Sequence, residues 1–213
     1  MKNLLIILSL LSGQLMAQSK KVTETVAVDK ENKVHLEFTF ANNIAFLTWD
    51  KNEIKVEVDV EINKGKYNDI FSLSSSKLGD DIFIEMDKEM WKKADSDCQN
   101  FNSTIDYTVY LPKNMEIRAN TISGNYEFVY FGSPVYLKTI SGVIDMTVDK
   151  DHEMDFRANT ISGEIFSDID ISFPEGKDGL NQIVGQKIKG RIRNGGQEST
   201  FETISGNIFL RKG

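Results

Sequence analysis

The sequence predicts an all-β protein whose C-terminal half is a repetitive β-solenoid. Two observations predict this class: a strict alternation of apolar and charged residues near the N-terminus, and a four-residue motif that recurs between residues 121 and 206. The chain also has only three prolines, and it is rich in the β-branched and aromatic residues that favour strands.

The alternation is clearest over residues 54–62. Ile54, Val56, Val58, Val60 and Ile62 are separated by a charged residue at every intervening position. A period of two buries one face of a strand and leaves the other face in water. A second run shows the same pattern, with apolar residues at Val34, Leu36, Phe38 and Phe40. Residues 22–62 therefore form the predicted N-terminal strand region.

The repeated motif is Thr-Ile-Ser-Gly, found at residues 121–124, 139–142, 160–163 and 203–206. A looser pattern, Ile-x-Gly-x-(Ile/Tyr), adds a fifth copy at Ile188, Gly190 and Ile192. The five copies are spaced by 18, 21, 27 and 16 residues. A period near 20 residues is typical of a solenoid, in which each repeat buries its apolar edge by stacking on its neighbours. The clearest repeats lie within residues 107–213.

Equivalent residues of such a coil stack about 4.8 Å apart. We expect the repeated isoleucines to form an inward ladder, with Ile140 directly below Ile161. The recurring glycine is expected at a corner that needs a positive φ or leaves no room for a Cβ atom. Serine and threonine are expected on the outside, where hydroxyl ladders suit a sheet surface.

One feature of the repeat requires a corner in the strand. Met115, Ile117 and Ala119 are out of phase with Ile122 if the strand is continuous. We therefore expect a corner near Asn120 that resets the parity, and an equivalent corner near residue 159, since Asn159 occupies the same place in a later copy.

Residues 63–104 are predicted to form a polar excursion from the sheet. This segment is rich in Lys, Asp, Ser and Asn, with one strand candidate at residues 81–86 and a short helix candidate at residues 88–94. Four of its apolar side chains need burial, namely Ile70, Phe71, Leu73 and Trp91.

The first residues resemble a secretory signal peptide. Lys2 is followed by an apolar run over residues 4–11 and then by small and polar residues up to Met16-Ala17-Gln18. This order predicts export with cleavage after Ala17, which leaves residues 18–213 as a single domain. The apolar run is too short to span a bilayer, and no later segment approaches that length.

Composition limits the partner classes. The formal net charge is −7, and no Lys/Arg cluster is present, so nucleic acid and anionic membrane surfaces are excluded as expected partners. Cys98 is the only cysteine, so no intramolecular disulfide can form and stability must come from packing and hydrogen bonding.

No group of residues demands a particular reaction, so no catalytic residue, cofactor or metal is predicted. The alternating carboxylates at residues 149, 151, 153 and 155 could bind Ca²⁺, but the glycine used in such loops is absent and a solvated loop is favoured. Glu127 and Asp145 share one offset within their repeats and are expected to stack, a pair that could serve glycoside hydrolysis. His35 and His152 have no Ser or Cys arrangement around them.

Four residues are the candidate partner-binding positions. Arg118 and Arg157 repeat at equivalent places and could bind a sugar acid or phosphate, although pairing with Glu116 and Asp155 is the simpler expectation. Trp91 and Tyr67 are the best exposed aromatic candidates in the excursion, with the alternative that they pin it to the sheet.

The repeats resemble those of a known family. The segments that carry the resemblance are Leu111-Pro112-Lys113-Asn114-Met115, the four Thr-Ile-Ser-Gly copies, and Ile188-Lys189-Gly190-Arg191-Ile192 with Gly195-Gly196. They are similar to the putative-adhesin β-solenoid family of bacterial domains of unknown function, related to the head GIN domains of putative autotransporter adhesins. Over residues 30–213 the resemblance implies a single-stranded right-handed β-helix, a location in the periplasm or at the cell surface, and adhesion. It supplies no site residues.

Two functions follow as hypotheses. The first is a non-enzymatic binding or structural role in the cell envelope, with a glycan or an envelope protein as the partner. The second is a polysaccharide-active enzyme on a pectin-lyase-like β-helix. A groove that holds convergent carboxylates and a basic residue would favour the second.

Overall fold

The structure is a computed structural model, and it describes residues 19–93, 102–173 and 186–213. These residues form one 16-stranded sheet and two short 3₁₀ helices, Asn68–Ile70 and Met90–Lys93. The expected all-β class is confirmed. The strands are β1 (Lys20–Ala27), β2 (Lys33–Glu37), β3 (Phe40–Trp49), β4 (Glu53–Ile62), β5 (Leu73–Leu78), β6 (Asp81–Met86), β7 (Ser103–Pro112), β8 (Glu116–Val129), β9 (Val135–Ser141), β10 (Ile144–Val148), β11 (Met154–Thr160), β12 (Ile165–Ser167), β13 (Ile171–Ser172), β14 (Gln186–Ile192), β15 (Glu198–Ser205) and β16 (Ile208–Lys212).

Strands β1, β4 and β7 form an antiparallel set at one edge of the sheet. β1 pairs with β4 and β4 pairs with β7, both antiparallel, while β7 pairs with β3 in parallel. The alternation predicted for residues 54–62 is confirmed, since all five apolar side chains of β4 are buried. They join one continuous core that runs the length of the described sheet.

Beside this set the sheet contains a stack of two-armed rungs, each with one arm before and one arm after a corner. The rungs are β2–β3, the long strand β8, β9–β10, β15–β16 and β11–β12. The first arms stack in parallel in the order β2, β8, β9, β15, β11. The second arms follow the same order as β3, β8, β10, β16, β12.

This stacking order does not follow the chain. The rung made of residues 198–212 lies between β9–β10 and β11–β12, which are neighbours in sequence. Thr203 is therefore in register with both Thr139 and Thr160, so the expectation that Ile161 stacks directly on Ile140 is wrong. A sequential right-handed β-helix is not confirmed by this topology.

The repeat faces the opposite way from the prediction. Its four threonines are buried, at Thr121, Thr139, Thr160 and Thr203. Its four isoleucines are exposed, at Ile122, Ile140, Ile161 and Ile204. The expectation of an inward isoleucine ladder and outward threonines was wrong. The apolar residue that is buried comes after the corner, as Tyr126, Ile144 and Ile208.

The position of the corner explains this reversal. β8 runs without interruption through Asn120, and Asn159 likewise lies inside β11, so the expected corners at these asparagines are wrong. Burial alternates through Ile117, Ala119 and Thr121 and changes parity only at the Ser-Gly step. The threonine therefore belongs to the inward side of the first arm.

The fifth copy is not a rung. Ile188, Gly190 and Ile192 lie on β14, which is antiparallel to β11. Gly190 accommodates the Phe156 ring, because a Cβ atom there would lie 2.6 Å from two ring carbons. The looser pattern thus reflects close packing against an aromatic ring, and the expected fifth solenoid repeat is wrong.

The segment predicted as an excursion extends the sheet. The strand expected at residues 81–86 is confirmed as β6, which pairs in parallel with β2. Strand β5 was not expected, because its Ser-rich sequence shows little alternation, yet it pairs with β6 along its length. Within the helix candidate at residues 88–94, the structure describes a short 3₁₀ helix at Met90–Lys93. Ala94 lies outside the described residues. Phe71 is buried, and Ile70 and Leu73 pack against the core.

Candidate functional site

A groove of about 790 Å³ runs over the outward side of the second arms. Its floor comes from outward positions of β3 and β8, where Leu47 is 47% and Val129 is 50% exposed. The inward neighbours Phe46 and Phe128 are buried, and they hold the two strands against the core. Alternation in a strand therefore fixes an apolar floor that faces solvent.

An ion pair forms one wall of the groove. The Arg211 Nε atom on β16 lies 2.7 Å from Asp145 Oδ1, and Arg211 Nη2 lies 2.8 Å from Oδ2. The Arg211 guanidinium also lies over the Phe209 ring, 4.9 Å from its centroid. The hydrogen bond to Asp145 raises the pKa of Arg211 above its usual value. Two parallel hydrogen bonds fix both groups in a planar arrangement.

A second carboxylate lies beside this pair. Glu127 and Asp145 are register partners on the parallel strands β8 and β10, which confirms the stacking expected from their equal offsets. Both line the groove together with Arg211. Carboxylates and a cation thus converge next to an apolar floor.

The other end of the groove is aromatic. The His152 ring meets the Tyr130 ring edge-on, with centroids 5.5 Å apart. His152 Nδ1 is shielded from solvent and has no hydrogen-bond partner among the described residues. Arg193 donates to the carbonyl oxygens of Asp149 and His152 and so holds this loop in place. Burial raises the pKa of Tyr130, so its hydroxyl stays protonated.

This arrangement suits a ligand with both hydroxyl groups and apolar faces. Fixed carboxylate oxygens can accept hydrogen bonds, the guanidinium can donate, and the floor can cover C–H surface. No cluster of three or more His, Cys, Asp or Glu residues able to hold a metal ion occurs in residues 19–93, 102–173 and 186–213.

The two predicted arginines lie on the first arms, away from the groove. Arg118 Nε is 2.7 Å from Glu116 Oε1, the expected partner, and its guanidinium covers the Tyr136 ring at 4.3 Å. Arg157 Nε is 2.9 Å from Glu198 Oε2, so its expected pairing with Asp155 is wrong.

Asp155 pairs instead with Arg191, at 2.8 Å between Oδ1 and Nε. The hydrogen bond from Arg191 lowers the pKa of Asp155. In the same acidic loop, Glu153 Oε1 accepts a hydrogen bond of 2.6 Å from Asn194. Asp155 and Glu153 therefore each bind a different side chain and do not converge on a common point.

Of the two predicted aromatic residues, the structure describes the side chain of Tyr67 only. Tyr67 is buried in the core, so the expectation that it is exposed is wrong, and the Lys66 ammonium lies 4.6 Å from its ring centroid. The Trp91 side chain and Cys98 lie outside the described residues. The structure does not bring Arg118, Arg157 and Tyr67 together, and partner binding by these residues and Trp91 stays a prediction.

Sequence reasoning missed Leu47, Val129 and Arg211. A signal existed for the first two, because each places an apolar residue at an outward position of its strand: Val129 lies between Phe128 and Tyr130, and Leu47 directly follows Phe46. Arg211 carried no such signal, since it reaches the groove only through the pairing of β16 with β10.

No family model matches the chain, and a search of curated proteins finds no match. Among solved structures, the chain is similar to a putative cell adhesion protein from Clostridium sporogenes, with 12% identity and a TM-score of 0.54 over 92% of this chain and 100% of that one. A putative adhesin from Bacteroides fragilis matches at 8% identity and a TM-score of 0.27, over 92% and 98% of the two chains. At these identities the first similarity shows the fold alone.

In the described part of the chain, no helix is long and apolar enough to cross a membrane.

Proposed function

We propose that the protein is an exported, non-enzymatic binding protein of the cell envelope that holds a glycan in the groove over the second arms. The observation that carries this proposal is the groove itself, in which an apolar floor meets the fixed Asp145–Arg211 pair and Glu127. Sugar rings present hydroxyl groups at their edges and C–H surface on their faces, which match these two features.

The similarity to the cell adhesion protein from Clostridium sporogenes supports a binding role at the level of the fold. Adhesion is said of that protein, and its extension to this chain is our proposal. We also propose that the stacked two-armed rungs form a β-solenoid with one rung inserted out of chain order. An experimental structure that fixes the path of the chain would test this.

Export belongs to the same proposal. The leader over residues 1–17 would direct the protein to the periplasm or cell surface, and the mature chain would begin at Gln18. Intact-mass measurement of protein from the native envelope tests cleavage. A mass that still includes residues 1–17 contradicts it.

A glycan-array screen of the mature chain tests the binding role, followed by titration of the best glycan. Arg211→Ala and Val129→Asp should each weaken binding about tenfold or more, because one removes a fixed donor and the other places a charge on the floor. Leu78→Asp is the matched control, since Leu78 is exposed on the distant strand β5. Equal binding by all variants would show that the groove is not the site.

The enzymatic alternative is favoured by one observation, the adjacency of Glu127 and Asp145 beside Arg211. Glycosidase carboxylates flank the scissile bond from two sides, whereas these two project from neighbouring strands of one sheet. Both oxygens of Asp145 are also engaged by the guanidinium. We therefore expect no turnover of acidic polysaccharides. Turnover that is lost in Glu127→Gln would assign the protein to the enzymes.

A further inference from the structure

The four outward isoleucines form a continuous apolar stripe, here called the isoleucine ridge: Ile122, Ile140, Ile204 and Ile161 in stacking order. Each is between 42% and 48% exposed. At one strand spacing of about 4.8 Å per rung, the ridge is roughly 14 Å long. An ordered apolar stripe on a rigid sheet usually marks a contact with another molecule.

A row of polar residues runs beside the ridge. It lies two positions before each isoleucine on the four ridge strands and continues onto the flanking strands β2 and β14. In stacking order it consists of Glu37, Asn120, Lys138, Glu202, Asn159 and Lys187. Its charges are negative, neutral, positive, negative, neutral and positive. In the reverse order, each position that held a positive charge holds a negative one, each negative position holds a positive charge, and the two asparagines take each other's places.

A twofold axis would bring opposite charges of this row together. Consider two copies whose sheets face each other, with the axis between them, parallel to the strands and level with the gap between β9 and β15. Rotation about this axis reverses the order of the rungs in the second copy and leaves the position along each strand unchanged. Ile140 then faces Ile204 of the second copy, and Lys138 faces Glu202 of the second copy. Asn120 faces Asn159, and Glu37 faces Lys187, so every charge in the row meets its opposite. Within its own chain the Glu37 carboxylate also accepts a hydrogen bond of 2.6 Å from Asn120 and lies 3.9 Å from the Lys88 ammonium, so its contact with Lys187 contributes less than the contact of Lys138 with Glu202.

From this complementarity we infer that two copies of the chain pair through the isoleucine ridge about this axis. Isologous contacts of this kind are the commonest in homo-oligomers, because one self-complementary patch serves both subunits. A bare lipid surface would need no such ordered alternation of charge, and a net charge of −7 opposes anionic lipids.

The contact is limited to the ridge and its polar row. One row further along the strands, Arg118 would face Arg157 of the second copy, but each already pairs with a carboxylate of its own chain. The buried area therefore stays below the roughly 1,200 Å² of a standard interface. The dimer is accordingly weak and reversible, and pairing would present two grooves at once, which strengthens attachment to a repetitive ligand.

Sedimentation of the full mature chain over a wide concentration range tests the inference. Wild type should show reversible dimerisation. Lys138→Glu and Glu202→Lys should each weaken it about tenfold or more, because each places like charges in contact twice per dimer. The double variant K138E/E202K should restore association, since it exchanges the two charges across the axis. Thermal melts of dilute samples control for folding.

Cross-linking tests the geometry independently. Oxidising a mixture of Ile140→Cys and Ile204→Cys chains should join the two different variants, while either variant alone should cross-link far less. Both cysteine variants are made in a Cys98→Ser background, so that the introduced thiol is the only one in each chain.

A wild type that stays monomeric at every concentration overturns the inference. A dimer that is indifferent to both charge reversals also overturns it, because the contact would then lie on another face. Binding of monomer to neutral phosphatidylcholine vesicles that Ile140→Asp abolishes would assign the ridge to a membrane surface instead.

Discussion

Three of the four repeated threonines join one rung to the next by a hydrogen bond to a glycine carbonyl. The Thr203 hydroxyl lies 3.2 Å from the carbonyl oxygen of Gly142, and Thr160 and Thr139 make the same contact with Gly206 and Gly124, at 2.9 and 3.4 Å. A buried hydroxyl must find an acceptor, and a carbonyl at a corner is left without its strand partner. The threonine therefore serves the corner of the neighbouring rung, which explains its recurrence beside glycine.

Replacing this hydroxyl should be costly. Thr203→Val keeps the shape of the side chain but leaves the Gly142 carbonyl unsatisfied, so the free energy of unfolding should fall by about 1–2 kcal/mol. Thr200→Val is the matched control on the same strand, because Thr200 is outward and half-buried. Chemical denaturation measures both. Equal stabilities would show that the threonine contact contributes nothing beyond burial.

The glycines of the motif are required by close backbone approach. A Cβ atom on Gly206 would lie 1.9 Å from the carbonyl oxygen of Gly142, and one on Gly163 would lie 2.0 Å from that of Gly206. The expectation that the corner leaves no room for a Cβ is confirmed at these positions.

Gly206→Ala should therefore separate two rungs and lower the free energy of unfolding by more than about 2 kcal/mol. Gly196→Ala is the control, since its nearest neighbour would be 3.5 Å from the new Cβ atom. Thermal unfolding of both variants checks this. A Gly206→Ala melt like that of Gly196→Ala would mean that the backbone relaxes freely at the corner.

At the scale of elements, an ion-pair cluster joins the β5–β6 hairpin to the loop between β1 and β2. Lys77 Nζ on β5 lies 3.0 Å from Glu31 Oε1 and 3.0 Å from Asp29 Oδ2. Hydrogen bonds from the backbone N–H groups of Asp29 and Glu31, and then from Lys77, lower the pKa of Glu31 from 4.5 to about 2. The hairpin is thus held more firmly when Glu31 is ionised.

This cluster makes the attachment of the hairpin pH-dependent. Because the pKa of Glu31 is lowered on folding, its stabilisation is fully present above the unfolded value of 4.5 and is lost as pH falls towards 2. Glu31→Gln should therefore be less stable than wild type near neutral pH, and the difference should shrink below pH 4.5. Urea titrations across this range measure it, with the exposed Glu85→Gln as control. A difference that is constant with pH contradicts the assignment.

For the whole molecule, the inserted rung is the feature with the largest consequence. β15 pairs with β9 and β11, and β16 pairs with β10 and β12, so residues 198–212 join two halves of the sheet. The rung also contributes Phe201, Ile208 and Leu210 to the core.

Deleting residues 198–213 should therefore abolish the cooperative unfolding transition. A solenoid stacked in chain order would lose only its terminal rung and keep most of its structure. Deleting residues 20–27, which form the edge strand β1, is the control and should leave a cooperative transition at lower temperature. Calorimetry and circular dichroism distinguish these outcomes. A cooperative transition in the first deletion would contradict the observed stacking order.

Part of the candidate site could be predicted from local sequence patterns, and part could not. The stacking of Glu127 on Asp145 followed from their equal offsets within the repeats, because parallel rungs keep register. Arg211 could not be assigned to the same wall from the sequence, because its partner Asp145 lies 66 residues earlier in the chain. The two residues meet only because β16, which carries Arg211, pairs with β10, which carries Asp145. The apolar floor combines β3 and β8, which are also distant in the chain.

The sequence by itself determined the all-β class, the alternation of residues 54–62 and the stacking of equivalent repeat positions. These features depend on periods of two and of about 20 residues, which are local properties of the chain. Only the tertiary structure decided that threonine faces inward and isoleucine outward, because the parity of a strand changes at a corner that periodicity does not locate. It also decided the rung order, because pairing of residues 198–212 with β9 and β11 depends on packing between distant segments.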